Sequence, residues 1–232
     1  SRFAPVERSD DYYLIVGRLV PYRRIDILIE AFNKMQRPLL IAGDGRDRER
    51  LQTLAGPTIE FLGYVPDEDL PDIMSRCRAF MWPGEEDFGI SPIQAMAAGR
   101  PVIAYAAGGA LETVIPGRTG ALFYEQSAQA IVDAVEQFDE SAMDPYAISA
   151  FAAQFDTSEF KRKMQQFVEE KLEQRRRELR SGLPEKLTAD SRKLIAKAQV
   201  NLMPIYEFRC KKCSHHFETL TRSSEDGSGL KC

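Results

Sequence analysis

Two stretches of this chain combine residue types with chemical capacity. The first is Trp82-Pro83-Gly84-Glu85-Glu86-Asp87-Phe88-Gly89-Ile90-Ser91-Pro92-Ile93-Gln94-Ala95-Met96-Ala97-Ala98-Gly99. An apolar run ends at Trp82, an acidic Gly/Pro loop follows, and Ser91-Pro92 reads as the N-cap and first residue of a short Ala-rich helix that Gly99 closes. Unpaired N–H groups in a first helical turn, together with the helix dipole, make the Gly89-Ile90-Ser91 corner a seat for phosphate. The second stretch is Cys210-Lys211-Lys212-Cys213-Ser214-His215-His216. Zinc takes four soft ligands in a tetrahedron, and Cys-x-x-Cys lets one tight turn aim two thiolates at one point. Cys232 follows with 18 residues between it and Cys213, within the range of a second ligand pair. A fourth cysteine is lacking here, so His215, His216 or water would complete the set, or the segment binds no metal.

The elements that must carry these residues follow from the apolar pattern. Tyr12 to Val16, Leu39 to Ala42, Ile59 to Leu62, Ala79 to Trp82, Val102 to Ala104 and Ala121 to Phe123 are short apolar runs, read as buried parallel strands. Between them lie helical segments: Ile25, Leu28, Ile29 and Phe32 share one face, and Leu51 and Leu54 face inward from a charged helix over Arg46 to Leu54. Further helices are expected from Pro66-Asp67, Gly109 to Val114 and Ser127 to Phe138. Strand and helix in alternation predict a doubly wound parallel α/β sheet with ligands at the carboxyl ends of its strands. After Phe138 the pattern is helical, with a helix opened by Asp144-Pro145 and one capped by Thr157 that carries Phe160, Met164, Phe167, Val168 and Leu172.

With these elements in place, the first stretch resembles the donor-binding motif of family 4 retaining glycosyltransferases, which have the GT-B fold. The family's motif is a glutamate, seven residues and a second glutamate, with Phe-Gly-Ile between. Glu86 matches the first and Gln94 stands at the second. The resemblance implies that Glu86 hydrogen-bonds the transferred sugar, that the Phe88-Gly89-Ile90 backbone approaches sugar and pyrophosphate, and that position 94 holds the ribose. Gln94 also completes a Ser91-x-x-Gln94 capping box, and both roles stay open. Arg18, in Gly17-Arg18-Leu19, matches the family's phosphate-binding arginine, and Arg23 occupies the place of its lysine; both would neutralise the departing nucleoside diphosphate. Gly43 and Gly45 fall where backbone approaches the base, or serve as turn glycines. Glu112 matches a recurrent family position or faces solvent. The implied reaction is retaining transfer of a hexose from a GDP- or UDP-sugar to a glycan or lipid acceptor, without an active-site metal.

Residues 1–172 are thus expected to be the donor-binding, carboxyl-terminal half of such an enzyme, 173–202 a helical linker and 203–232 a truncated ribbon. The chain opens Ser1-Arg2 without methionine and reads as a fragment lacking the acceptor domain, inactive by itself. Met203 to Glu218 resembles the start of FmdB-type zinc ribbons, which implies a structural zinc held by Cys210, Cys213 and Cys232. A second reading is therefore a zinc-ribbon interaction module carried on an incomplete α/β domain, and a third is two neighbouring reading frames joined at Leu202-Met203.

Composition narrows the partners. The 232 residues are 44% hydrophobic and 28% charged, as in soluble globular chains. A formal charge of -4 argues against nucleic acid, and Arg175-Arg176-Arg177 reads as a solvated helix face because no aromatics interleave it. Reduced cysteines, no signal peptide and no spanning segment place the chain in the cytoplasm or at the inner membrane face.

Overall fold

The computed structural model describes residues 2–181, 205–209 and 216–220. The chain forms two compact units, Ser1–Gln165 and Gln166–Cys232. Six strands build the sheet of the first: β1 Tyr13–Val16, β2 Leu39–Ala42, β3 Ile59–Gly63, β4 Phe80–Trp82, β5 Val102–Tyr105 and β6 Gly120–Phe123. Their order is β3-β2-β1-β4-β5-β6 and every pairing is parallel. This is a doubly wound sheet that reverses its direction of growth between β1 and β4, the place where such sheets open a ligand crevice.

Strand pleating sends neighbouring residues to opposite faces and so builds two cores. On one side Ile15, Ile41, Met81 and Ile103 meet Leu28 and Phe32 of α1 (Ile25–Met35) and Ile131 and Val135 of α6 (Ala128–Gln137). On the other, Leu14, Phe80 and Val102 meet Met96 of α4 (Ile90–Ala97) and Ile148 of α7 (Pro145–Ala152). Each fully buried side chain of this size contributes about 1.5–3 kcal/mol. The remaining helices are α2 (Arg48–Leu54), α3 (Leu70–Arg76), α5 (Ala110–Thr113) and α8 (Thr157–Ser181).

Several local expectations are corrected. Leu51 is buried in α2, but Leu54 is exposed, because the helix begins at Arg48 and packs through one turn only. The helix expected from Pro66-Asp67 starts at Leu70; residues 66–69 form a turn in which the Asp69 N–H bonds Pro66 O at 3.0 Å. Ser91 does not cap α4, whose N-cap is Gly89 at φ 78°, and Gln94 makes no capping box, since no side chain caps this helix. The expected stop at Gly99 is present as a Schellman turn: the Gly99 and Arg100 amides bond Met96 O and Ala95 O, both at 2.9 Å. At α8 the capping oxygen is one residue earlier than Thr157: Asp156 Oδ1 accepts from the Ser158 N–H at 2.9 Å. Asp144 caps α7 as the Asp144-Pro145 pair indicates, and Ser127 caps α6, its side chain accepting from the Ala130 N–H.

Along α8, Phe160, Met164, Phe167, Val168 and Leu172 are all exposed. Among the described residues no helix is long and apolar enough to cross a membrane. In the second unit, β7 (Ile205–Arg209) pairs antiparallel with β8 (His216–Leu220), in a register that sets Arg209 opposite His216. Of the helical linker expected over 173–202, residues 182–202 lie outside the described residues, as do Cys210, Cys213, His215 and Cys232.

Candidate functional site

The site grows out of the β1/β4 reversal. Trp82 ends β4 buried to 3% exposure, and the acidic loop doubles back over its ring. Gly89 makes this possible twice over: its φ of 78° is left-handed, and a side chain there would strike the Trp82 ring. From the β1 side, Pro21–Arg23 forms a single 3₁₀ turn, closed by the Arg24 N–H on Pro21 O at 3.0 Å, that carries Arg23 toward the loop. Backbone meets backbone there, since a side-chain carbon on Gly84 would lie 2.8 Å from Arg23 Cα.

Arg23 and Glu86 meet across this junction. Arg23 Nη2 lies 2.6 Å from Glu86 Oε1, with side chains only 19% and 18% exposed. The guanidinium rests on Gly17, where a side chain would come within 3.2 Å of Nη1, and Arg23 Nε is buried without a hydrogen-bond partner among the described residues. The pair lines an open cleft of about 710 Å³ together with Tyr22, Gly89 and Ser91. With Gly89 as N-cap and no side-chain cap, the Ile90 and Ser91 amides at the start of α4 stay available; Pro92 has no N–H to offer. At the Gly89-Ile90-Ser91 corner, where the sequence led to the expectation of a phosphate seat, the first-turn amides thus carry no side-chain cap, and the helix starts two residues earlier than expected, at Ile90 instead of Pro92.

Arg18 is exposed just beyond β1 and makes no hydrogen bond or ion pair among the described residues. Gly17 is tied to β2 through its N–H on Ala42 O at 2.9 Å, and the Gly17 carbonyl fills the space that a Gly43 side chain would need. Gly43 and Gly45 thus allow the β1 and β2 exits to pack on each other. Gln94 sits away from the acidic cleft, on an adjoining apolar one of about 670 Å³ with Ile93, Phe155 and Phe160; Phe88 and Ile90 border both. Glu112 is exposed on α5.

Three supports for the acidic loop carry no motif. Glu86 O accepts the Gly109 N–H at 2.7 Å, and Gly109 O in turn accepts Thr113 Oγ1 at 2.9 Å. Gln126, from the β6–α6 loop, donates Nε2 to Pro83 O at 3.1 Å and accepts Arg24 Nη1 at 3.4 Å, so it bridges both halves of the site. The Gly108-Gly109 pair was the one visible clue, since consecutive glycines mark close backbone approach. For a metal, no group of three His, Cys, Asp or Glu side chains suits among the described residues. Cys210 and Cys213 fall in the sequence between β7 and β8, within residues 210–215 that lie outside the described residues; thiolates and imidazole are donor types that suit zinc.

Known proteins share this architecture. The family model "Glycosyl transferases group 1" matches residues 2–145, and "Zinc ribbon domain" matches residues 203–232. A GDP-mannose-dependent alpha-mannosyltransferase of Mycolicibacterium smegmatis is 40% identical over 108 residues, covering 46% of this chain and 28% of that protein. The sucrose-phosphate synthase of Thermosynechococcus elongatus superposes with a TM-score of 0.67 at 28% identity, over 74% of this chain and half of that one (50%). Anabaena HepE in complex with UDP-glucose does so with a TM-score of 0.61 at 25% identity, over 69% of this chain and 49% of that one. The chain spans 28% of the length of the first relative and about half (50% and 49%) of these two structures. A parallel sheet reversing at β1 and β4, a GT-B half in its neighbours, and a family model covering residues 2–145 agree: the chain belongs to the group 1 glycosyl transferases and carries a zinc-ribbon domain at its end.

Proposed function

We propose that the acidic cleft binds the donor of a family 4 retaining glycosyltransferase, a GDP- or UDP-sugar, and that residues 1–172 are the donor-binding half of that enzyme. The observation that carries this reading is the Arg23–Glu86 contact at the strand reversal, with the uncapped start of α4 beside it. The diphosphate lies against the Ile90 and Ser91 amides, with Arg23 and the exposed Arg18 as its cations. Glu86 takes the hydroxyls of the sugar, while Phe88, Gly89 and Gly17 shape the backbone around it. Gln94, on the adjoining cleft that shares Phe88 and Ile90 with the acidic one, is assigned to a ribose that reaches past these two residues, and Gly43 to the base side. Transfer proceeds on the front face of the sugar: the departing phosphate oxygen takes the acceptor's proton as the new bond forms on the side it leaves. Arg18 and Arg23 stabilise the negative charge that grows on that phosphate.

The acceptor, a glycan or a lipid-linked sugar, is assigned to a second domain beyond this chain, so these 232 residues alone bind donor and transfer little. The similarity to a GDP-mannose-dependent enzyme and to a structure holding UDP-glucose supports the donor class. Residues 203–232 are an FmdB-type ribbon in this proposal. Cys210, Cys213 and Cys232 hold zinc with His215 or His216 as the fourth ligand, and the ion supplies local folding energy rather than chemistry. The zinc-ribbon match is what favours a second reading, an interaction module on an α/β carrier.

Calorimetry with GDP-mannose and UDP-glucose separates the two. Donor binding by the natural chain, weakened about tenfold or more in Arg18→Ala, fits the loss of one or more charged hydrogen bonds, roughly 1.5–3 kcal/mol each. Traces indistinguishable between the two proteins remove the donor site and leave the carrier reading.

A further inference from the structure

Resting on that donor-site reading, we propose that Glu86 is also the internal counter-ion of Arg23, exchanged for diphosphate on binding, and that this exchange makes the cleft select sugar-bearing nucleotides over free diphosphates. Glu86 Oε1 already occupies the Nη2 edge of Arg23 at 2.6 Å, where an incoming phosphate oxygen must go. Arg23 Nε, buried and without a partner among the described residues, is a second donor on the same edge of the guanidinium. An oxyanion that replaces the carboxylate can satisfy both N–H groups in the bidentate geometry arginine favours.

The displaced carboxylate then decides the outcome. Its main chain is pinned, because Glu86 O holds the Gly109 N–H at 2.7 Å, so only the side chain can turn. It swings within a cleft that Glu85 and Asp87 also line, and among the described residues no cation other than Arg23 lines it; Arg18 lies outside that lining and, on the donor-site reading, serves the phosphate and not Glu86. Beside a bare pyrophosphate, Glu86 would be an anion without a partner next to another anion. Beside a nucleotide-sugar, the hexose hydroxyls donate to it and restore what Arg23 gave up. The ion pair thus costs every ligand the same displacement, and only a ligand with hydroxyls in the right place recovers it.

The test measures inorganic pyrophosphate, GDP and GDP-mannose, with UDP and UDP-glucose in parallel, by calorimetry on the natural chain and on Glu86→Gln. Glu86→Gln should bind pyrophosphate at least tenfold tighter, and the ratio of sugar-bearing to sugar-free affinity should fall at least tenfold. Pyrophosphate affinity that is unchanged or weaker in Glu86→Gln overturns the proposal. If Glu86→Gln does not fold, as judged by circular dichroism, Glu86→Asp opens the same contact by one methylene and must show the same direction of change. Nucleotide-sugar binding that Arg18→Ala weakens, with no gain of pyrophosphate on Glu86→Gln, overturns the exchange and leaves the donor site standing. Failure of both proteins to bind any nucleotide overturns the donor site and the exchange with it.

Discussion

Cys77 and Arg23 show how differently burial acts on single residues of this fold. Arg23 sits in a partly closed site with a carboxylate facing it at 2.6 Å. Cys77 has no such partner: burial pushes its thiol up to about 12, only partly offset by the charge of Arg100, and its Sγ donates to Met74 O at 3.3 Å. Burial likewise raises the pKa of Tyr12, whose hydroxyl donates to Ile73 O at 2.8 Å. An unfolded cysteine ionises near pH 8.5, so above that pH the unfolded chain sheds a proton that the folded chain keeps. The folded-state pKa is raised, hence the contribution to stability is complete below about pH 8.5 and is lost as pH climbs toward about 12. Urea midpoints should therefore fall between pH 8 and pH 10, and Cys77→Ala should flatten that fall. Equal slopes in the two proteins contradict this assignment. Both groups precede their strands, Tyr12 before β1 and Cys77 before β4, whereas the cleft lies beyond the strands' carboxyl ends, so Cys77→Ala should leave donor affinity unaltered.

At the scale of elements, the helices were legible where local chemistry decided them and misread where a distant contact did. Ser127 and Asp144 cap their helices because nothing else competes for their first-turn amides. Ser91-Pro92 carries an equally good start signal, yet α4 begins at Ile90, because folding the loop over Trp82 forces Gly89 into the left-handed region and sets the helix phase from there. The pattern Ser91-x-x-Gln94 is consequently no capping box. Gln126 was illegible for the same reason: its partners, Pro83 and Arg24, lie far away in sequence and nothing in its own loop marks it. Its two hydrogen bonds tie the Arg23 turn to the Glu86 loop. Gln126→Ala should free both by roughly 1 kcal/mol per bond, weakening donor binding several-fold while Gln126→Glu, which keeps the acceptor for Arg24, recovers part of it. Calorimetry reads the affinities and a thermal melt reads the stability. A loss of stability with unaltered affinity would make Gln126 a loop anchor only.

The whole first unit was legible as alternating apolar runs and helical stripes, since each strand needs cover on two faces and each helix offers one. What the pattern could not yield is how the unit is closed at the back, because that rests on one buried arginine with partners from three parts of the chain. Arg100 is 2% exposed. Its Nε donates to Ser75 O at the end of α3, its Nη2 to Val6 O at 2.6 Å, and its Nη1 lies 3.7 Å from Glu140, which also pairs with Arg78 at 3.1 Å. The long contact to a part-exposed Glu140 contributes little, and Arg78 retains that carboxylate when Arg100 is gone. Arg100→Met keeps much of the buried volume and removes the donors, leaving two carbonyls without partners at about 1–3 kcal/mol each. A loss of about 2–6 kcal/mol corresponds to a melting shift of roughly 4–24 °C for a unit of this size. The shift should be the same with and without donor, since Arg100 lies at the amino end of β5 while the cleft opens at the carboxyl ends. A melting temperature within about 2 °C of the natural chain would mean that the chain entry at Val6 and the turn at Glu140 are held by apolar packing alone.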